Sequence, residues 1–87
     1  MNIATLLRPY ALNEHLSLKN RIVMAPMTRD KAHEDFSPTK QMMDYYARRA
    51  DAGLIITEGT IIHESTIGYK NVPGIYTPKH IDGWHRV

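Results

Sequence analysis

Cysteine is absent from the 87 residues, which excludes disulfides and thiolate metal sites. No apolar run approaches the roughly 18 residues that suggest a membrane-spanning helix. The start, Met1 to Arg8, lacks the charged opening and long apolar core of a secretory leader. The formal net charge is only +2, too weak to argue for nucleic acid or an anionic membrane as partner. A cytoplasmic protein is the expectation. The five histidines do not form a metal motif: His63 and Glu64 are adjacent, His80 and His85 are off the i, i+4 face, and no H-E-x-x-H spacing occurs. Neither common Gly-rich phosphate loop is found. With 43% hydrophobic and 23% charged residues, the composition is that of one small globular unit over residues 1–87.

What is present centres on Asn20-Arg-Ile-Val-Met-Ala-Pro-Met-Thr-Arg29. The run Ile22 to Ala25 suits a strand buried on both faces, with Arg21 to Ala25 as its span. Pro26 ends it, having no N–H for a ladder. Thr28 and Arg29 then place a hydroxyl and a fixed cation just past a strand end, where α/β folds bind ligands. On spacing alone, an ordinary buried strand with a polar exit loop is the simpler account.

The rest of the chain supplies an α/β frame. Tyr10 to Leu12 and Leu16 to Leu18 alternate about a polar turn and read as a β-hairpin. Asp30 to Phe36 reads as a charged loop. Ser37-Pro38 is a helix start, with Thr39 a competing cap, and the helix is expected to run to about Ala52 with Gly53 as a left-handed stop. Met42, Tyr46 and Ala50 form its packing stripe. Leu54 to Glu58 is a second short strand, so residues 21–58 make one parallel βαβ unit of the usual length, roughly 30 residues or more. A long loop from Gly59 to Tyr76 follows. Thr77-Pro78 opens a second helix, which is still running at Val87. Glu58, lacking a visible partner, is assigned a structural role.

The ten residues from Asn20 to Arg29 resemble the first barrel strand of the old yellow enzyme family, the FMN-dependent ene-reductases. The segment Asp44 to Thr60 resembles the family's first helix and second strand, Gly68 to Tyr76 the following loop, and Ile81-Asp-Gly-Trp84 the second helix. The resemblance implies an incomplete (β/α)8 TIM barrel: an amino-terminal hairpin, two strands around a helix, and the start of a second helix. It implies FMN as cofactor and NAD(P)H as reductant, with an activated alkene as the small-molecule substrate. Pro26, Met27 and Thr28 would meet the N5–O4 side of the flavin, with the Thr28 hydroxyl bonding O4. Gly59 would lie against the flavin, or else serve a turn needing positive φ. Tyr69 would line the substrate pocket. The family's carbonyl clamp and proton-donating tyrosine lie beyond the second strand, so no catalytic residue is assigned here. Two strands would leave two open edges, and the chain alone is expected to be inactive and poorly folded or to associate through those edges. The alternatives are one piece of a split barrel completed by a partner chain, and a non-catalytic small module that keeps the strand.

Overall fold

The structure, a computed structural model, describes residues 2–87. A short helix α1 (Ile3–Leu6), capped by the Asn2 side chain, precedes the hairpin and was not foreseen from sequence. Strands β1 (Tyr10–Ala11) and β2 (Ser17–Leu18) pair antiparallel, Tyr10 opposite Leu18. The Asn13 side chain makes the turn by accepting from the amides of His15 and Leu16.

Strand β3 (Val23–Met24) pairs in parallel with β4 (Leu54–Ile55), Val23 opposite Leu54. Between them runs α2 (Lys40–Ala47), giving the expected β-α-β order. Asn20 ties the unit together. Its Nδ2 donates to the Asp51 carbonyl at 2.8 Å, while its Oδ1 accepts from the Ile22 amide at 3.0 Å. The Gly53 amide then donates to the Ile22 carbonyl at 2.8 Å.

Four expectations are corrected. First, the strand over residues 21–25 shrinks to two ladder residues and is not buried on both faces: Val23 is 48% exposed and Ile22 44%. Among the described residues it has a hydrogen-bonded neighbour on one side only. Second, the helix begins at Thr39, whose hydroxyl accepts from the Met42 amide, because Ser37 is engaged with the Asp35 carboxylate at 2.5 Å. Third, it stops at Ala47, not Ala52. Arg49, Ala50 and Ala52 donate to carbonyls three residues back, and Lys19 and Asn20 take the carbonyls of Ala50 and Asp51. Fourth, Gly53 is no left-handed stop, since no described glycine has positive φ. It is glycine for space: a Cβ there would fall 2.1 Å from the Asn20 carbonyl oxygen.

The long loop after β4 is pinned by a bridge between Ile61 and Gly74 and holds one 3₁₀ turn, Glu64–Thr66. Helix α3 (Pro78–Arg86) starts at the expected Thr77-Pro78 cap. His80, buried at its first turn, accepts from the Tyr76 and Thr77 amides through Nδ1 and donates from Nε2 to the Asp35 carbonyl at 2.7 Å. Trp84 Nε1–H reaches the Gly74 carbonyl at 3.0 Å, and Gly83 lies against Pro38, where a Cβ would come within 2.6 Å of the ring. Residues around Asp35, Gly74 and α3 thus form one packed corner.

The buried hydrophobic set is small: Leu18, Ala32, Met42, Tyr46, Ile61 and Val72. The chain exposes 6365 Å² at a mass of 10.0 kDa, against about 5,200 Å² for a folded monomer of that size. Its radius of gyration is 15.1 Å, against about 12 Å for a compact domain of this length. The open surface includes Ile22, Val23, Met27 and Ile56 on and beside the two-stranded parallel sheet.

Candidate functional site

The carboxyl ends of β3 and β4 point the same way because the strands are parallel. Pro26 ends the first exit and carries it to Thr28. The second exit passes Glu58 to Gly59. The loop that returns through the Ile61–Gly74 bridge brings Tyr69 over both. As a result Thr28, Gly59 and Tyr69, which are far apart in sequence, border one concavity of about 390 Å³, with Thr60, Ile61 and Val72 also lining it.

Gly59 matters here for what it lacks. It does not have positive φ, so the alternative of a turn needing left-handed backbone is corrected. A Cβ built there would meet no atom within 4 Å. Neither backbone conformation nor packing within the chain requires glycine at this position, and the space in front of it is open. Such a bare backbone surface suits the face of a flat ring, which needs close approach. Thr28 adds an exposed hydroxyl at the rim, and Ile61 and Val72 an apolar floor. The residues present therefore fit a flavin ring system in kind: hydroxyls, that of Thr28 among them, a bare backbone at Gly59 and apolar contact.

The other expected contacts are placed differently. Met27 is 48% exposed and borders a separate concavity with Ile22, Met24 and Arg49. Pro26 borders neither space. Tyr69, 72% exposed, also borders a second concavity of about 420 Å³, shared with Phe36, Ile67 and Lys70. The two spaces meet at Gly68 and Tyr69. Phe36 holds positive φ, 69°, an unusual backbone state for a bulky residue. Nothing in the sequence pattern marked it. Another concavity, of about 480 Å³, lies elsewhere, between the Asp35 loop and α3. It contains no strand end, and its charged pair, Lys79 to Asp35 at 2.6 Å, does structural work. Lys79 and Ser37 together hold the Asp35 carboxyl well below its ordinary value of 3.8.

Beneath the site, Glu58 is buried with a partner that sequence spacing did not reveal. The Tyr46 hydroxyl donates to Glu58 Oε2 at 2.7 Å and accepts from the Glu58 amide at 3.0 Å. Burial pushes the Tyr46 phenol up to about 12, with the neighbouring carboxylate adding to the shift. Tyr46 therefore stays a neutral donor through the ordinary pH range. No group of three or more His, Asp or Glu among the described residues is placed to hold a metal ion. No helix among them is long and apolar enough to cross a membrane.

A family model described as NADH:flavin oxidoreductase / NADH oxidase matches residues 5–87. A probable flavin mononucleotide-dependent alkene reductase of Leishmania infantum is 44% identical over 70 residues, covering 80% of this chain and 19% of that protein. A chanoclavine-I aldehyde reductase of Penicillium roqueforti is 47% identical over 74 residues, covering 83% and 20%. Among solved structures, the old yellow enzyme homologue from Zymomonas mobilis superposes with a TM-score of 0.88 at 41% identity, over 94% of this chain and 23% of that one. The old yellow enzyme from Trypanosoma cruzi gives 0.87 at 44%, over 95% and 22%. The chain thus spans about a fifth of the length of the curated relatives it matches.

Proposed function

Because the chain belongs to the NADH:flavin oxidoreductase / NADH oxidase family, we propose that it forms one wall of an FMN site in an NAD(P)H-dependent ene-reductase. The observation that carries this reading is the meeting of Thr28, Gly59 and Tyr69 on one concavity, with Gly59 bare and open before it. The hairpin, the β-α-β unit and α3 are the opening part of a (β/α)8 barrel, whose ligands bind at the carboxyl ends of the strands.

The chemistry supplied by a bound flavin is hydride transfer from NAD(P)H to the β-carbon of an activated alkene. In this chain, Thr28 supplies the hydroxyl that hydrogen-bonds the flavin's carbonyl edge and favours the negative charge of the reduced ring. Pro26 and Met27, which lie outside that concavity, lead the main chain from β3 to Thr28. Gly59 leaves room for the ring, and Ile61 and Val72 exclude water from its underside. Tyr69, at the junction of the two concavities, borders the substrate's approach. No proton donor is assigned among these residues, and the carbonyl clamp must come from elsewhere in a complete barrel.

Exposed Val23, Ile22 and Ile56 favour completion of the sheet by further barrel strands. The test is to add the remaining barrel segment of a relative in trans with FMN, NADPH and an activated alkene. Yellow, alkene-dependent NADPH oxidation that needs this chain supports the proposal. A folded chain that neither binds flavin nor joins the barrel segment favours the non-catalytic module.

A further inference from the structure

Glu58 is only 3% exposed, and its two carboxylate oxygens differ. Oε2 takes the Tyr46 hydroxyl, whereas Oε1 is sealed from solvent and has no hydrogen-bond partner. A buried carboxylate oxygen without a donor is costly, and its neighbourhood should hold a group able to satisfy it. Beside Glu58 lies a cavity of about 50 Å³, bordered by Arg29, Lys31, Gln41, Met42 and Tyr45. That space is too small for a cofactor but admits a side-chain head group.

Arg29 is the cation with most reason to move there. It has no carboxylate partner among the described residues. Its guanidinium rests over the Tyr45 ring at 4.6 Å, and the same ring holds Arg49 more closely, at 3.8 Å. Two cations on one ring repel each other, so Arg29 is the more weakly held of the pair. Lys31 is a compact point charge, whereas the planar fork of Arg29 can meet Oε1 and keep contact with Tyr45.

We propose that Arg29 and Glu58 are a positioning pair: the guanidinium takes Oε1 and clasps the exit of β3 to the exit of β4. Thr28 precedes Arg29 and Gly59 follows Glu58, so the clasp fixes the separation of the two flavin-facing positions. Its effect on the cofactor rests on the flavin reading above, but the clasp itself does not need flavin.

The test has two arms on the chain as it stands. In the flavin-free chain, the Arg29 side-chain Nε–H, followed by NMR, should exchange slowly with solvent. Glu58→Gln, which keeps the shape and the Tyr46 contact, should restore fast exchange, and Lys31→Gln should not. In the second arm FMN is titrated into Arg29→Lys, Glu58→Gln and the double variant. Each single variant should lose about tenfold in affinity, and the double no more than the worse single. An Nε–H that exchanges fast in the parent, or losses that simply add, overturns the pair. If neither the parent nor any variant binds FMN, the exchange arm alone decides the clasp, and the flavin reading is decided by the completed barrel described above.

Discussion

Replacing Val23 with lysine should weaken self-association of the chain. The chain exposes about 1,100 Å² more than a compact monomer of its mass. Two copies that buried this excess would remove about 2,200 Å², more than the roughly 1,600 Å² of a standard stable interface. Val23 lies in β3, whose only hydrogen-bonded neighbour among the described residues is β4, so its other edge offers free N–H and C=O groups. A valine with about half its surface left to bury contributes roughly 1 kcal/mol. A lysine in its place forfeits that and must also shed water, so about 2 kcal/mol per site is lost; with one site in each of two copies that is about 4 kcal/mol, or roughly a thousandfold in dissociation constant. Sedimentation equilibrium across the micromolar range measures this directly. The parent should be dimeric or larger, and Val23→Lys should shift the midpoint to higher concentration. A parent that stays monomeric and unfolds in urea with one steep transition refutes the reasoning.

Four further outcomes follow from the geometry. Gly53→Ala should disrupt the β-α-β unit, read as lost circular dichroism, because its Cβ would lie 2.1 Å from the Asn20 carbonyl oxygen; Gly59→Ala, with nothing within 4 Å, should leave the spectrum unchanged and weaken FMN binding. Tyr46→Phe should destabilise by about 2–4 kcal/mol, since it orphans a buried carboxylate oxygen and an amide together, and Trp84 fluorescence in urea reports it through the Tyr46 contact. The Tyr46 phenol is raised from 10.0 to about 12, so the stability it contributes is complete below pH 10 and is lost as pH rises toward 12; Tyr46→Phe should abolish that alkaline limb. At the acid end the sign reverses. Asp35 is depressed, so its contribution is present above pH 3.8 and fades as pH falls below it, and Lys79→Gln should flatten that acid limb.

The order of elements was legible because the local signals agreed with the fold. Thr77-Pro78 starts α3, the Tyr10–Leu18 alternation makes the hairpin, and the apolar runs after Arg21 and Gly53 pair in parallel. What was not legible depends on contacts distant in sequence. The end of α2 is set by Lys19 and Asn20 reaching carbonyls 31 residues away, which no helical periodicity encodes. Burial of the strand on both faces was inferred from its apolar composition, but composition reports what a strand can bury and not whether a layer covers it. At the site, Thr28 and Gly59 could be marked from their positions past strand ends. Their meeting with Tyr69 needed the loop closure at Ile61 and Gly74. The Tyr46–Glu58 contact joins a helix face to a strand end, and its only trace in sequence is two polar atoms in otherwise apolar stretches.

The most direct test of the central claim is a fluorescence titration of FMN into this chain joined in trans by the remaining barrel segment of a relative, beside Thr28→Ala and Gly59→Leu, with circular dichroism recorded on each. The account predicts saturable binding by the parent, a loss of about two- to tenfold on removing one hydroxyl hydrogen bond at Thr28, and near-complete loss when leucine fills the space before Gly59, all with unchanged secondary structure. Binding by the parent that neither substitution alters would contradict it, because the flavin would then sit somewhere other than the shared concavity at the ends of β3 and β4.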